Sequence, residues 1–311
     1  MESFRPSLLA LLAGVLWVVV FSTLIPAREE KHRSEPRLVN ARSVNTASCS
    51  EGATLARLPD VNEASGLVVS RRNAGILWTH NDSGAPILYT VGIDGNLRAR
   101  VQVQGVQIDD WEDIAAGPCP QGSCLYIADI GDNRRERLQV AVYRVPEPTM
   151  EETVTRPAEV FYATYPDQPQ DAEAFFVNGS GTMFIVTKGE GSPISVYRFP
   201  SSPAAGSTVR LEHVITLSSK VEKPQRITDA DISWDGRWVV LRTLDLLEFY
   251  RASDLLNGKA SDPLTFDLSP LHEPQGEGVA LAKDGTVYLA SEGRDAIRGG
   301  TLSRLSCKLP S

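Results

Sequence analysis

One short pattern recurs five times along this chain: an acidic residue, a few small or apolar residues, a turn, then a second apolar strand. The copies open at Glu63-Ala-Ser-Gly-Leu-Val-Val, Glu112-Asp-Ile-Ala-Ala, Glu173-Ala-Phe-Phe-Val, Asp231-Ile-Ser-Trp and Glu277-Gly-Val-Ala-Leu-Ala. Successive copies begin 46 to 61 residues apart, which suits one four-stranded blade with its loops. After each copy comes turn chemistry: Asn73-Ala74-Gly75, the Cys119 to Cys124 loop, Asn178-Gly179-Ser180-Gly181, Asp235-Gly236 and Asp284-Gly285. Asn-Gly and Asp-Gly pairs close tight hairpins because they tolerate positive φ.

The segments after those turns begin at Ile76, Leu125, Met183, Trp238 and Val287 and are rich in β-branched and aromatic residues, so each reads as a second strand. Third and fourth strands are expected at 87–91 with 97–103, 139–144 with 159–164, 194–199 with 209–216, and 247–251 with 264–268. The fifth copy reaches only a third strand, near 300–307, while 54–58 ahead of the first copy is a spare strand able to complete it. The expected fold is therefore all-β: a five-bladed β-propeller over residues 48–311, closed by its N-terminal strand, with six blades as the alternative count. Two stacked sheets would not require an acidic start to every fourth strand. No helix of ordinary length is expected.

In such a ring the loops leading into the inner strands and those leaving the second strands meet on one face. The first set supplies Glu63, Asp109, Asp110, Glu112, Asp113, Asp171, Glu173, Asp229, Asp231 and Glu277. The second supplies His80, Asn81, Asp82, Asp129, Asp132, Asn133, Lys188, Glu190, Arg242, Asp245, Glu292 and Arg294. So many carboxylates repel one another unless cations are present, and Ca²⁺ takes six to eight oxygen ligands. The plainer reading is that these acids cap strands and pair with Lys188, Arg226, Arg242 and Arg294. Trp111 is placed either to stack on a ligand or to pack between blades, and His80 either as a base or as a structural hydrogen-bonding residue. No G-x-S-x-G nucleophile elbow is present.

A net charge of -8 with no basic stripe argues against a nucleic-acid partner. With 42% apolar and 23% charged residues the chain has enough to build a sizeable core. Residues 7–25 are apolar apart from Ser and Thr, follow Arg5 and precede a charged run, which is the pattern of an export signal. That stretch is just long enough to span a bilayer, and Ile25-Pro26-Ala27 is a poor cleavage site, so residues 1–27 read as a signal peptide or an N-terminal membrane anchor. Residues 28–47 are polar, lack periodicity and read as a linker. Export makes the four cysteines readable as Cys119–Cys124 and, at the two ends of the ring, Cys49–Cys307.

The blade signature, best seen in Gly276-Glu277-Gly278-Val279-Ala280 through Asp284-Gly285-Thr286-Val287-Tyr288, resembles exported bacterial propellers of the SdiA-regulated and phytase-like esterase families. Through its likeness to β-propeller phytases, Asp82, Glu112, Asp132, Glu173, Asp231 and Glu277 are implied as Ca²⁺ ligands, and Glu63 stands beside them as a further candidate metal ligand. The basic residues that a phosphate substrate needs are outnumbered here. Lactonase-type propellers offer a second comparison through Glu63, Asn81, Asn133 and Asp231. The expectation is an extracytoplasmic, monomeric binding module whose acidic face holds a small polar ligand or a protein, with His80, Asn81, Asn133, Lys188, Arg242 and Glu292 as ligand contacts. The alternative is a metal-dependent hydrolase of phosphoesters or lactones on the same face.

Overall fold

The computed structural model of the chain describes residues 46–50, 52–217, 226–259, 261–293 and 299–310. Five sheets stand in a ring, each an antiparallel meander of four strands from the axis outward. Blade one comprises Ala64–Val69, Ile76–Asn81, Ile87–Gly92 and Leu97–Gln104; blade two comprises Trp111–Cys119, Gly122–Asp129, Val140–Pro146 and Glu159–Thr164. Blade three is Ala172–Val177, Met183–Thr187, Ser195–Arg198 and Glu212–Thr216; blade four is Ile227–Ile232, Trp238–Thr243, Leu246–Arg251 and Leu264–Asp267. Blade five contributes Gln275–Leu281, Thr286–Glu292 and Gly300–Lys308, and Ala53–Leu58 pairs antiparallel with its third strand. Each inner strand packs on the next and the fifth packs on the first, so the ring closes. The five-bladed reading, its closure by the N-terminal strand and both disulfides are present.

Three details depart from the sequence reading. The expected strand 209–216 divides at the buried Leu211: Thr208–Arg210 pairs parallel with the outer strand of blade two, and only Glu212–Thr216 stays in blade three. Val154–Pro157 likewise adds a parallel strand outside blade one. Thr46 and Ala47, assigned to the linker, already belong to the ring: Thr46 bridges Thr265, and Ala47 is buried. The expected signal or anchor, the linker up to residue 45 and Arg294 lie outside the described residues. Among the described residues no helix is long and apolar enough to cross a membrane.

Burial explains the two sequence patterns. Inner strands are covered on both faces by neighbouring blades, so Ala172–Val177 is buried at every position and reads as a continuous run, Glu173 apart. The outer strand Leu97–Gln104 meets solvent on one side, and its alternating Leu-Arg-Ala-Arg-Val-Gln-Val-Gln sequence follows the two-residue period of a half-covered sheet.

Near its start each inner strand carries a register shift: between Ala64 and Leu67, Trp111 and Asp113, Ala172 and Ala174, Ile227 and Asp229, and Gly276 and Gly278. A β-bulge re-aims the side chain it displaces. Glycine serves close approach just past two of these bulges. A Cβ on Gly66 would lie 2.5 Å from the Ile114 amide nitrogen, and one on Gly278 would lie 2.8 Å from the Ser65 carbonyl oxygen. Gly66→Ala and Gly278→Ala are each expected to cost about 1–3 kcal/mol, because backbone must move. A urea titration in which either variant kept the parent's midpoint would contradict this packing.

Candidate functional site

The five bulges set the geometry of the site. Superimposing the registers makes Ser65, Glu112, Glu173, Thr228 and Glu277 equivalent, and all five line one central pocket of about 300 Å³. Asp110 and Arg226, each just ahead of an inner strand, and Gln275, the first residue of one, join the lining. Asp82, Lys188 and Leu244, each just after a second strand, and Glu292, the last residue of one, join Pro274 in the wall, and blade two contributes Asn133 from its loop.

Six carboxyls therefore share the pocket with two cationic side chains. The Lys188 ammonium contacts Glu173, lies 3.6 Å from Asp171 Oδ2 and donates to Asn133 Oδ1 at 3.2 Å. Arg226 is half exposed and pairs with Glu190 at 3.2 Å.

Enclosure of this much negative charge moves the acids upward. Burial, then the charges of Glu173 and Asp110, push Glu112 well above the usual carboxylate range. Burial also raises Glu173, but the Lys188 ammonium opposes it. Burial and then Glu173 push Glu277 up to about 8. Glu292 rises to about 7 through burial and then Asp82. Asp82 rises to about 6 through burial and then Glu63, and its buried Oδ1 has no hydrogen-bond partner among the described residues.

The sequence-derived candidates divide between this pocket and its surroundings. Asp82, Glu112, Glu173, Glu277, Asn133, Lys188 and Glu292 line it. Glu63 is exposed beside it and accepts from Ser83 at 2.7 Å, while Asn81 Oδ1 is taken by the Glu63 amide at 3.2 Å. Asp132 lies outside: its two oxygens accept the amides of Glu136 at 3.0 Å and Arg137 at 2.8 Å, which folds the following loop. Asp231 lies three residues along the inner strand from the pocket position held by Thr228, with its oxygens on the amides of Ile232 at 2.7 Å and Leu281 at 2.8 Å. Burial raises it to about 7.

His80 is fully buried beneath the first bulge, edge-on to Trp111 with 5.7 Å between ring centroids, and burial lowers it to about 4, so it is a neutral packing residue. Trp111 is wholly buried too and offers no stacking face. Arg242 has no exposed surface and serves the Gly278 and Ala290 carbonyls and Glu273. Arg242 and His80 are therefore structural.

The sequence reading missed Ser65, Thr228 and Gln275, because a bulge leaves no mark in a hydrophobic pattern. It also did not foresee the pairing of Asp113 with Asp229. These fully buried side chains meet across the channel, from blades two and four, just past their bulges. Each oxygen of Asp113 accepts an amide, Ile114 N–H in its own strand and Phe175 N–H of blade three at 2.6 Å. Asp229 does the same with Ala230 and with Val279 of blade five. Burial and then the facing carboxyl push Asp113 well above the ordinary range, and burial pushes Asp229 well above it too.

No protein family model matches the chain, and no curated protein matches it in sequence. Solved structures do match. The PQQ-bound aldose sugar dehydrogenase of Streptomyces coelicolor superimposes with a TM-score of 0.53 at 12% identity, covering 85% of this chain and 99% of that one. A gluconolactonase of Xanthomonas campestris aligns at 0.46 and 10% identity over 86% and 99% of the two chains. The Cps50 (Swd1) β-propeller domain of Myceliophteria thermophila aligns at 0.45 and 10% over 84% and 100%. At such identities the likeness speaks to the fold alone, and the chain is a β-propeller.

Proposed function

We propose that this chain is an extracytoplasmic binding module whose central pocket takes a small polar ligand bearing positive charge, with Ca²⁺ as the simplest occupant. One observation carries this reading: six carboxyls face two cationic groups in one enclosed polar pocket, and three of those acids rise to about 6, 7 and 8. A positive occupant relieves that repulsion. The volume of about 300 Å³ is at the small end of ligand pockets. Among the described residues no three of His, Cys, Asp and Glu are placed around one point as a metal site. Ca²⁺ needs six to eight oxygens, so its binding would also draw on oxygens of the ligand or of water. Two disulfides fit an oxidising compartment. The likeness of the fifth blade to SdiA-regulated and phytase-like propellers is part of the same reading.

Proton linkage gives the test its sign. Carboxyls raised in the folded state make it bind protons more tightly than the unfolded chain does. Their contribution to stability is full below about pH 4, the ordinary carboxylate range. It is lost as pH climbs through about 6 for Asp82, 7 for Glu292 and 8 for Glu277. The melting temperature of the full chain in EDTA is expected to fall between pH 6 and pH 8.5, and to fall less in Glu277→Gln. Added Ca²⁺ should raise it more at pH 8.5 than at pH 6, since a bound cation displaces protons. No shift with Ca²⁺, Mg²⁺, Mn²⁺ or Zn²⁺ at either pH would remove the metal reading.

The second reading, a hydrolase of phosphoesters or lactones, draws on the Glu112–Glu173 pair, in which burial raises both acids while the Lys188 ammonium in contact with Glu173 opposes the rise there. That asymmetry suits general acid–base work. A hydrolase should lose at least a hundredfold in turnover in Glu112→Gln, measured on a phosphoester and lactone panel. A binding module should show no turnover to lose.

A further inference from the structure

The face opposite the central pocket carries a second concavity, a groove of about 500 Å³ between blades four and five. Its walls are the turns that join the inner to the second strands of these blades, around Trp234 and Lys283, and Trp238 and Leu281 line its interior. Trp234 is 47% exposed although its turn is firmly built. Asp235 accepts from the Ser233 hydroxyl at 2.8 Å and the Arg237 amide at 3.1 Å, and Gly236 takes φ +69° to close the hairpin. Nothing in that turn requires a large aromatic. The equivalent turn of blade five places Lys283 there instead.

Two cations attend the exposed ring. Arg71 Cζ lies 5.5 Å and Lys283 Nζ 5.9 Å from the Trp234 ring centroid. Among the described residues neither forms an ion pair with a carboxylate, whereas Arg237 beside them is neutralised by Asp235 at 2.6 Å. The groove thus joins an exposed aromatic side chain to Lys283, with Arg71 beside it, while of its two acids Asp235 pairs with Arg237 and Asp284 accepts the Thr286 amide at 3.0 Å. An aromatic face suits the C–H face of a sugar ring, and the adjacent ammonium and guanidinium suit a carboxylate.

We propose that this groove is a binding site for acidic saccharides, with Trp234 stacking on a sugar ring and Arg71 and Lys283 receiving its carboxylate. A volume of about 500 Å³ lies within the range of small-ligand pockets. The site is distinct from the central pocket and independent of what fills that pocket.

Isothermal titration of the full chain with galacturonic acid and with an oligogalacturonide separates a free sugar acid from a polymer segment as the source. Saturable binding of at least one is expected, at least tenfold weaker in Trp234→Ala and in Lys283→Glu and falling as salt rises. A neutral maltooligosaccharide should bind at least tenfold more weakly, and Glu112→Gln on the other face should bind the acidic sugar as the parent does. Melting curves of Trp234→Ala should match the parent's, since the side chain is half exposed.

The proposal is overturned if neither acidic sugar binds, if Trp234→Ala binds unchanged, or if the neutral sugar binds as tightly. Loss of binding in Glu112→Gln with Trp234→Ala intact would overturn it as well. So would vesicles of anionic lipid that bind through Trp234 when the sugars do not.

Discussion

Replacing both Cys49 and Cys307 by serine is expected to lower stability by about 5 kcal/mol, the chain-entropy value for cross-linking so distant a pair. The bridge joins residues 258 apart and fastens the first strands of the ring to its last. Ser48–Cys49 pairs with Cys307 and Lys308, and Ala53–Leu58 pairs with Gly300–Arg304. Without the bridge the ring still closes through those hydrogen bonds, but the unfolded chain regains the freedom of a loop almost as long as the domain. A loss of this size should lower the melting temperature by about 10 °C or more for a domain of this length. The Cys119–Cys124 bridge spans only five residues, so Cys119→Ser/Cys124→Ser should cost only about 2 kcal/mol on the same model. Equal losses in the two double variants would refute the assignment of ring closure to Cys49–Cys307.

Asp229→Ala should cost about 3–5 kcal/mol, the upper range for single changes and one tied to a broken buried network. The substitution orphans two buried amides, those of Ala230 and Val279, and leaves Asp113 facing a void. An unpaired buried donor costs about 1–3 kcal/mol. Asp113→Ala acts alike through Ile114 and Phe175. Asparagine at either position keeps one acceptor oxygen and loses the other, so about 1–3 kcal/mol is expected there. Because the two acids act as one unit, Asp113→Ala/Asp229→Ala should cost less than the sum of its parts. Strict additivity in a denaturant double-mutant cycle would show that the two side chains are not coupled across the channel.

Several features of this molecule were legible before any fold was seen. Repeated turn chemistry and β-branched second strands gave the five blades, because hairpin closure and strand burial are local demands that each segment meets with its own residues. The spare strand at 54–58 and the cysteines at 49 and 307 gave the closure, since an unfinished blade and an unpaired strand at opposite ends have one economical solution. The acidic character of one face was legible too, from the repeated acids and the residues after the second strands.

Which of those acids face one another was decided only in three dimensions. Asp231 and Glu112 look alike in the repeat, yet register sets Thr228, not Asp231, beside Glu112, and sends Asp231 down the channel to cap the Leu281 amide. A bulge adds one residue to one strand and so shifts every later side chain, and its position depends on pairing with the neighbouring strand rather than on the residues of its own. Polar residues at the end of a strand usually face solvent, which is why the sequence points to His80 and Arg242, yet both are buried in the ring. Sequence alone therefore determined the number of blades, their closure and the sign of the charge on one face. Tertiary structure alone decided which carboxyls share a pocket, which face one another across the channel and which cap a neighbour's backbone, because burial and electrostatic coupling are properties of the space between chain segments.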